Sequence, residues 1–344
     1  MNVLDLCQPD DWHLHLRDGA LLRSVLPHTA ARFARAIVMP NLTPPVTTTA
    51  AALAYRERIL ASRPVASRFQ PLMTLYLTDT LAPEEIDRAV DCGHIHGAKL
   101  YPAGATTHSD AGVTDIRRLD AVLERMSERG LVLQVHGEVT SPEVDVFDRE
   151  ARFIDQVLAP LVQRFPQLRV VFEHVTTRAA VQFVTGAGEL VGATVTPQHL
   201  LFNRNALFQG GIRPHLYCLP ILKTEPDRQA LLDVVGSGHP RFFLGTDSAP
   251  HARHAKENAC GCAGIYSAHA AIELYAEIFE QLGALHRLEA FGAHHGADFY
   301  RLPRNQTRIK LLKDAWPVPE SYQFGDATLV PLRSTASVGW RLAS

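Results

Sequence analysis

The chain is 344 residues long, 46% apolar and 20% charged, the balance of a globular protein with ample material for a core. Its formal net charge of −2 offers no basic field for nucleic acid or an anionic membrane, and no window approaches the roughly 18 uninterrupted apolar residues of a membrane span. An odd count of five cysteines points to reduced thiols, and the acidic opening through Asp11 lacks the basic start and apolar core of a secretory signal, so a cytoplasmic address is expected.

Short β-branched runs alternate with amphipathic stretches of helical length, the pattern of parallel βαβ units. In chain order, a first strand ends in Trp12-His13-Leu14-His15, and a second covers Ala36 to Met39 and runs into Pro40-Asn41. A third spans Leu72 to Leu77, a short fourth Gly97 to Leu100, a fifth Leu131 to Val135 and a sixth Arg169 to Phe172. The seventh, Ala193 to Thr196, carries the weakest pattern, and the eighth is Arg241 to Leu244. Thr114 is expected to N-cap a helix that runs through Arg129 and stops at Gly130; Ala271 to Leu282 reads as another, stopped by Gly283. Eight such units favour a closed (β/α)8 barrel over an open sheet. No repeat, low-complexity tract or long polar linker divides residues 1–344, which read as a single domain. From about Arg301 the alternation ends, and this tail is expected to pack across the barrel as an appendage.

The chain holds 17 histidines, and imidazole is the commonest side-chain metal ligand, so their placement matters. Barrel enzymes build their sites at the C-terminal ends of the strands. His13 and His15 close strand one, Lys99 sits in strand four, His136 follows strand five, His174 follows strand six and Asp247 follows strand eight. Each alone has an ordinary reading: an edge strand with two imidazoles, a satisfied core histidine, a strand-to-helix cap at Gly245-Thr246-Asp247-Ser248. Six such residues at one rim make a metal centre the better reading. His13 and His15 are two apart, so a strand projects both to one face, and the same spacing from His15 places Arg17 there too. Lys99 fits a metal site only as a carbamate, formed when a neutral amine adds carbon dioxide; the alternative is a barrel lysine in an ion pair. Cys260 and Cys262 are too close together for a zinc ribbon and read as a loop beside the site. His294 and His295 fall in a helical stretch, His94 and His96 precede strand four at the far end of the barrel, and His199 is a minor rim candidate.

The run Asp11-Trp12-His13-Leu14-His15-Leu16-Arg17-Asp18-Gly19 resembles the opening of the amidohydrolase superfamily, and within it the bacterial-type class II dihydroorotases. The resemblance continues through Val38 to Leu42, Ala98 to Ala103, Val135 to Glu138, Phe172 to His174, Arg213 to Pro220 and Gly245 to His251, nearly the whole chain to about Pro303. It implies two zinc ions, one held by His13, His15 and Asp247 and the other by His136 and His174. Carboxylated Lys99 (N6-carboxylysine) and a hydroxide would bridge them, and Asp247 would be the catalytic base. It further implies that Arg17, Asn41 and His251 clamp a substrate carboxylate beside His15 and His136. Leu219 and Ala263 would offer backbone groups to the ring amides, and Thr106 and Thr107, in the loop from Gly104 to Gly112, would close over the substrate. The implied reaction is reversible cyclisation of N-carbamoyl-L-aspartate to dihydroorotate by a homodimer. The rivals are a hydantoinase-like or allantoinase-like enzyme, which has no use for an anion clamp, and a non-catalytic homologue serving as an assembly subunit, which should have lost ligands.

Overall fold

The computed structural model describes residues 2–343. After a first strand β1 (Val3–Cys7) outside the barrel, eight strands follow: β2 (Asp10–Leu14), β3 (Arg35–Val38), β4 (Gln70–Tyr76), β5 (Ile95–Leu100), β6 (Val132–Val135), β7 (Val170–Phe172), β8 (Val191–Val195) and β9 (Phe242–Leu244). They pair in parallel in chain order from β2 to β9, the barrel expected from the eight alternating units. Between β9 and β2 the ring closes without a ladder. The seam is held instead by the bridge Leu14–Ser248 and by the backbone bonds Asp247 N→His13 O (2.8 Å) and His15 N→Ser248 O (3.0 Å).

Both faces of each strand are buried, which is why these segments read as apolar runs rather than strict alternations. One face sends Ile37, Leu72, Val132, Val171 and Phe243 to a cluster around Trp12. The other sends Val38, Leu75, Leu133 and Val135 against helix residues such as Leu26, Tyr55, Ile86 and Leu123. Trp12 stacks on Tyr300 with ring centroids 4.6 Å apart. A register shift lies between Asp11 and Leu14. Such an irregularity re-aims side chains: Trp12 joins the apolar cluster while the next residue, His13, lines the cavity described below.

Helix ends follow side-chain chemistry. Asp18, Thr48 and Thr177 accept the first free amides of the helices Gly19–Arg32, Thr49–Ser62 and Arg178–Gly186, and Thr224 with Asp227 forms a capping box on Glu225–Ser237. Gly130 (φ +70°) and Gly283 (φ +65°) end their helices as expected. The expected cap at Thr114 is displaced by one residue. The helical turn starts at Ile116 with Asp115 accepting from Arg117 N, because Thr114 is engaged by Asp79 through its amide (2.9 Å) and hydroxyl (2.5 Å).

Three other expectations shift. The fourth barrel strand begins at Ile95, so His96 lies inside its N-terminal end rather than before it. The seventh begins at Val191, and Thr196 leaves it to cap Pro197–Leu201. The tail is itself β-structured: β10 (Arg308–Leu312) pairs antiparallel with β1, Arg341–Leu342 extends that sheet, Trp316–Pro317 pairs with Ser337–Val338, and Tyr322–Phe324 forms a hairpin with Ala327–Leu329. Gly339 N and Arg333 bind Glu277 on the helix Ala271–Gln281, and Gly325 N binds Ser24 on Gly19–Arg32. Among the described residues no helix is long and apolar enough to cross a membrane.

Candidate active site

A small cavity lies at the C-terminal ends of the barrel strands. Its walls include His13, His15, Arg17, Asn41, Thr106, Thr107, His136, His174, Leu219, Asp247, His251 and Ala263, so twelve of the thirteen residues singled out from the sequence meet there. Lys99, the thirteenth, is fully buried, and its amine touches Glu173. His199 does not line the cavity: it is held between Thr196 Oγ1 (2.7 Å) and Pro220 O (2.9 Å). Cys260 and Cys262 lie on the loop leading to Ala263, beside the cavity and outside its wall. His295 packs against Phe242 O.

Three ligand atoms converge on one point. His13 Nε2 and His15 Nε2 lie 3.3 and 3.2 Å from Asp247 Oδ1. Ligand bonds of about 2.0–2.1 Å place the atoms of a tetrahedral site about 3.3–3.4 Å apart, so this spacing fits one divalent ion. A second grouping joins His174 to His13 and Glu173, with the His136 ring centroid 4.9 Å from that of His174. The donors are in ligand form. Burial pushes the pKa of His13, His136 and His174 down, and that of His15 to about 4, so the imidazoles are neutral. Burial drives the Lys99 amine far below its ordinary value, against the pull of Asp247, as a nucleophilic amine requires, while the Glu173 carboxylate it touches is the partner that the alternative ion-pair reading calls for. Burial opposes ionisation of Asp247, but His13, His15 and His174 outweigh it and hold its carboxyl well below the usual range.

Neighbours set the tautomers. Asn41 Oδ1 accepts from His15 Nδ1 (2.8 Å), which leaves Nε2 as the lone pair facing Asp247. Glu138 Oε2 takes His136 Nε2 (2.9 Å). His174 Nδ1 and Glu173 Oε1 are buried without a hydrogen-bond partner, as expected of atoms shaped around an ion. Glu138 and Glu173 were not singled out from the sequence. The signal was present, since each is a carboxylate one or two residues from a candidate histidine at the end of the same strand.

Arg17 reaches the cavity by a route different from the expected strand pleat. β2 ends at Leu14, and Arg17 occupies a left-handed turn (φ +62°) fixed by Tyr55 Oη donating to Arg17 O (2.5 Å). Its guanidinium donates to Pro250 O (3.0 Å) and meets His251 Nε2 (3.0 Å). Burial, then Arg17 itself, pushes the His251 pKa to about 2, so that ring is a neutral acceptor. Among the described residues no carboxylate lies within ion-pair distance of Arg17. Over the cavity, Thr107 Oγ1 donates to Ala263 O (3.4 Å) and Asn41 Nδ2 to Thr107 O (3.3 Å), so the loop bearing Thr106 and Thr107 closes it.

Comparison with known proteins agrees with this geometry. The amidohydrolase family model matches residues 11–316. The chain is 64% identical over 342 residues to the dihydroorotase of Alkalilimnicola ehrlichii, covering 99% of this chain and 100% of that one. Among solved structures it is similar to the dihydroorotase of Campylobacter jejuni (TM-score 0.92, 34% identity, 100% of this chain and 98% of that one). It is equally close to the Saccharomyces cerevisiae dihydroorotase solved in complex with 5-fluoroorotic acid (TM-score 0.92, 31% identity, 100% and 99%). A barrel rim that gathers histidines, a buried lysine and an aspartate, together with full-length relatives of one kind, means that the chain belongs to the amidohydrolase family and, within it, to the dihydroorotases.

Proposed function

We propose that the chain interconverts N-carbamoyl-L-aspartate and (S)-dihydroorotate, a cyclisation in pyrimidine synthesis, with a two-zinc centre. His13, His15 and Asp247 would hold one ion, His136 and His174 the other, and Lys99, carboxylated on its amine, would bridge them. Divalent ions bound there would supply Lewis acidity to a carbonyl and make water acidic near neutral pH.

The chain's own groups do the rest. Asp247 is an anion at the centre of the cluster, placed to take a proton from the attacking water and to deliver it to the departing amide nitrogen. In the cyclising direction it takes the proton of the carbamoyl nitrogen. Arg17 offers the substrate carboxylate two parallel donors, Asn41 Nδ2 offers a third, and His251 braces the guanidinium. The backbones of Leu219 and Ala263 line the side of the cavity where the ring amides would lie. Because Thr107 bonds to Ala263 O, closure of the loop and seating of the ring would be linked.

The observation that carries this reading is Arg17, a partly buried cation without a carboxylate partner that faces the same small cavity as the histidine–aspartate cluster. A neutral hydantoin ring gives such a cation nothing to bind, and an assembly subunit has no need of six intact ligands. A homodimer working in the cytoplasm belongs to the same reading; the five cysteines, all unpaired, support a reducing compartment. The test is metal content per chain together with hydrolysis of dihydroorotate, followed by loss of its ultraviolet absorbance. Absence of turnover in protein carrying two ions per chain would overturn the reading.

A further inference from the structure

Asp11 lies two residues before His13, and its side chain is fully buried away from the cavity. Its Oδ1 accepts from His13 N (3.2 Å) and from Thr246 N (2.9 Å), and its Oδ2 accepts from Thr246 Oγ1 (2.6 Å). These bonds span the one place where the barrel has no ladder, the seam between β2 and β9. They also bear on the register shift that turns His13 toward the cavity, since the amide of His13 is left to Asp11 there. On the other side of the seam Thr246 immediately precedes Asp247, which is held at φ +45° with its amide on His13 O. Thr246 Oγ1 in turn accepts from Ser248 N (3.0 Å). One carboxylate thus joins the segment that aims His13 to the segment that aims Asp247.

We propose that Asp11 is a positioning residue that clasps the open seam of the barrel and sets the spacing of His13, His15 and Asp247, and with it the affinity for the ion those three would hold. The clasp rests on the reading of the cluster as a metal centre. It acts through geometry, because its partners are two backbone amides and a hydroxyl rather than a charged group. His136 and His174 follow β6 and β7, away from the seam, and none of the bonds of Asp11 goes to either.

The test is Zn2+ binding to the full chain after chelator treatment, measured against a competing chromophoric chelator. Wild type should show two tight sites. Asp11→Ala should weaken one of them about 10- to 100-fold, the usual cost of losing a group that orients a ligand, and leave the other unchanged. Asp11→Asn should restore the weakened site: its carbonyl keeps both amides, and Thr246 Oγ1 can accept from the new NH2 while turning its hydrogen to His13 O, 3.3 Å away. Equal weakening of both sites, no weakening, or an Asn variant as poor as the Ala variant would each overturn the clasp. If Asp11→Ala does not fold, Thr246→Val removes the hydroxyl arm, together with the bond it accepts from Ser248 N, and should weaken the same single site; an unchanged site would count against the proposal. A wild type that binds no zinc would instead overturn the metal reading beneath it.

Discussion

Replacing Arg17 by Met separates binding of an anionic ring from every other property of the site. Methionine keeps most of the apolar stem and removes the fork of donors, along with the bond to Pro250 O. What remains for a substrate carboxylate is weak. Burial alone still disfavours a charged His251, and Asn41 has committed its Oδ1 to His15, which leaves a single amide donor. Stranding a desolvated carboxylate without its cation costs about 2–5 kcal/mol, or about 30- to 5,000-fold in kcat/KM. The clamp orients the ring as well as holding it, so both KM and kcat should suffer. Metal content should not change, because the bond from Tyr55 that fixes this turn goes to the Arg17 backbone and survives the substitution. The assay is steady-state hydrolysis of dihydroorotate beside neutral dihydrouracil, with metal measured on the same samples. Dihydrouracil should be the poorer substrate for wild type and should lose far less in the variant. Equal losses on the two substrates, or loss of metal, would refute the reasoning and leave Arg17 a structural residue.

Lys99→Ala should lose metal and most activity, short carboxylic acids should restore a fraction of it, and Lys99→Arg should stay inactive because a guanidinium forms no stable carbamate; two tightly bound ions and normal turnover in Lys99→Ala would refute the bridge. Ring opening turns a monoanion into a dianion and releases a proton, so the equilibrium ratio of carbamoyl aspartate to dihydroorotate should rise with pH, and hydrolysis should slow in acid as the nucleophile takes up a proton; a rate flat between about pH 5 and 9 would contradict this. His199, fully engaged as a neutral ring, has its pKa pushed by burial to about 4 in the fold against about 6.5 unfolded, so its contribution is complete above about 6.5 and is lost as the pH falls toward 4. That shift corresponds to about 3 kcal/mol, and His199→Gln should flatten the acid limb of the denaturation midpoint by a comparable amount, whereas parallel curves for the two proteins would refute it.

The barrel was legible because its strands are buried on both faces, so β-branched runs such as Val170-Val171-Phe172 stand out from the helical stretches around them. The rim was legible for a related reason: a parallel barrel puts all strand ends on one side, so position in the sequence relative to a strand translates directly into position in space. Features that depend on distant partners were not legible. β10 alternates only weakly and gains its identity from β1, some 300 residues earlier in the chain, so the tail looked featureless. The cap at Asp115 rather than Thr114 depends on Asp79, on another loop. Arg17 reached the expected cavity by an unexpected route, because neither the early end of β2 nor the turn held by Tyr55 is written in the spacing of His13, His15 and Arg17.

The backbone around the cavity carries strain, and its supports face away from the chemistry. Arg17, His108, His174 and Asp247 all have positive φ (+62°, +59°, +43° and +45°), a conformation that costs a non-glycine residue about 1–3 kcal/mol. Three of these bends have an identifiable restraint nearby. Tyr55 holds the carbonyl of Arg17, Thr194 Oγ1 accepts the amide of His174 (2.7 Å), and Asp11 grips the residue before Asp247. Tyr55, Thr194 and Asp11 lie outside the cavity wall. In each case the side chain that would meet an ion or the substrate is aimed by a polar group that would touch neither. A strained turn released from such a restraint relaxes toward ordinary backbone angles and carries its side chain with it. The bonds of Tyr55, Thr194 and Asp11 are therefore those through which the fold reaches the residues that would meet the ion or the substrate.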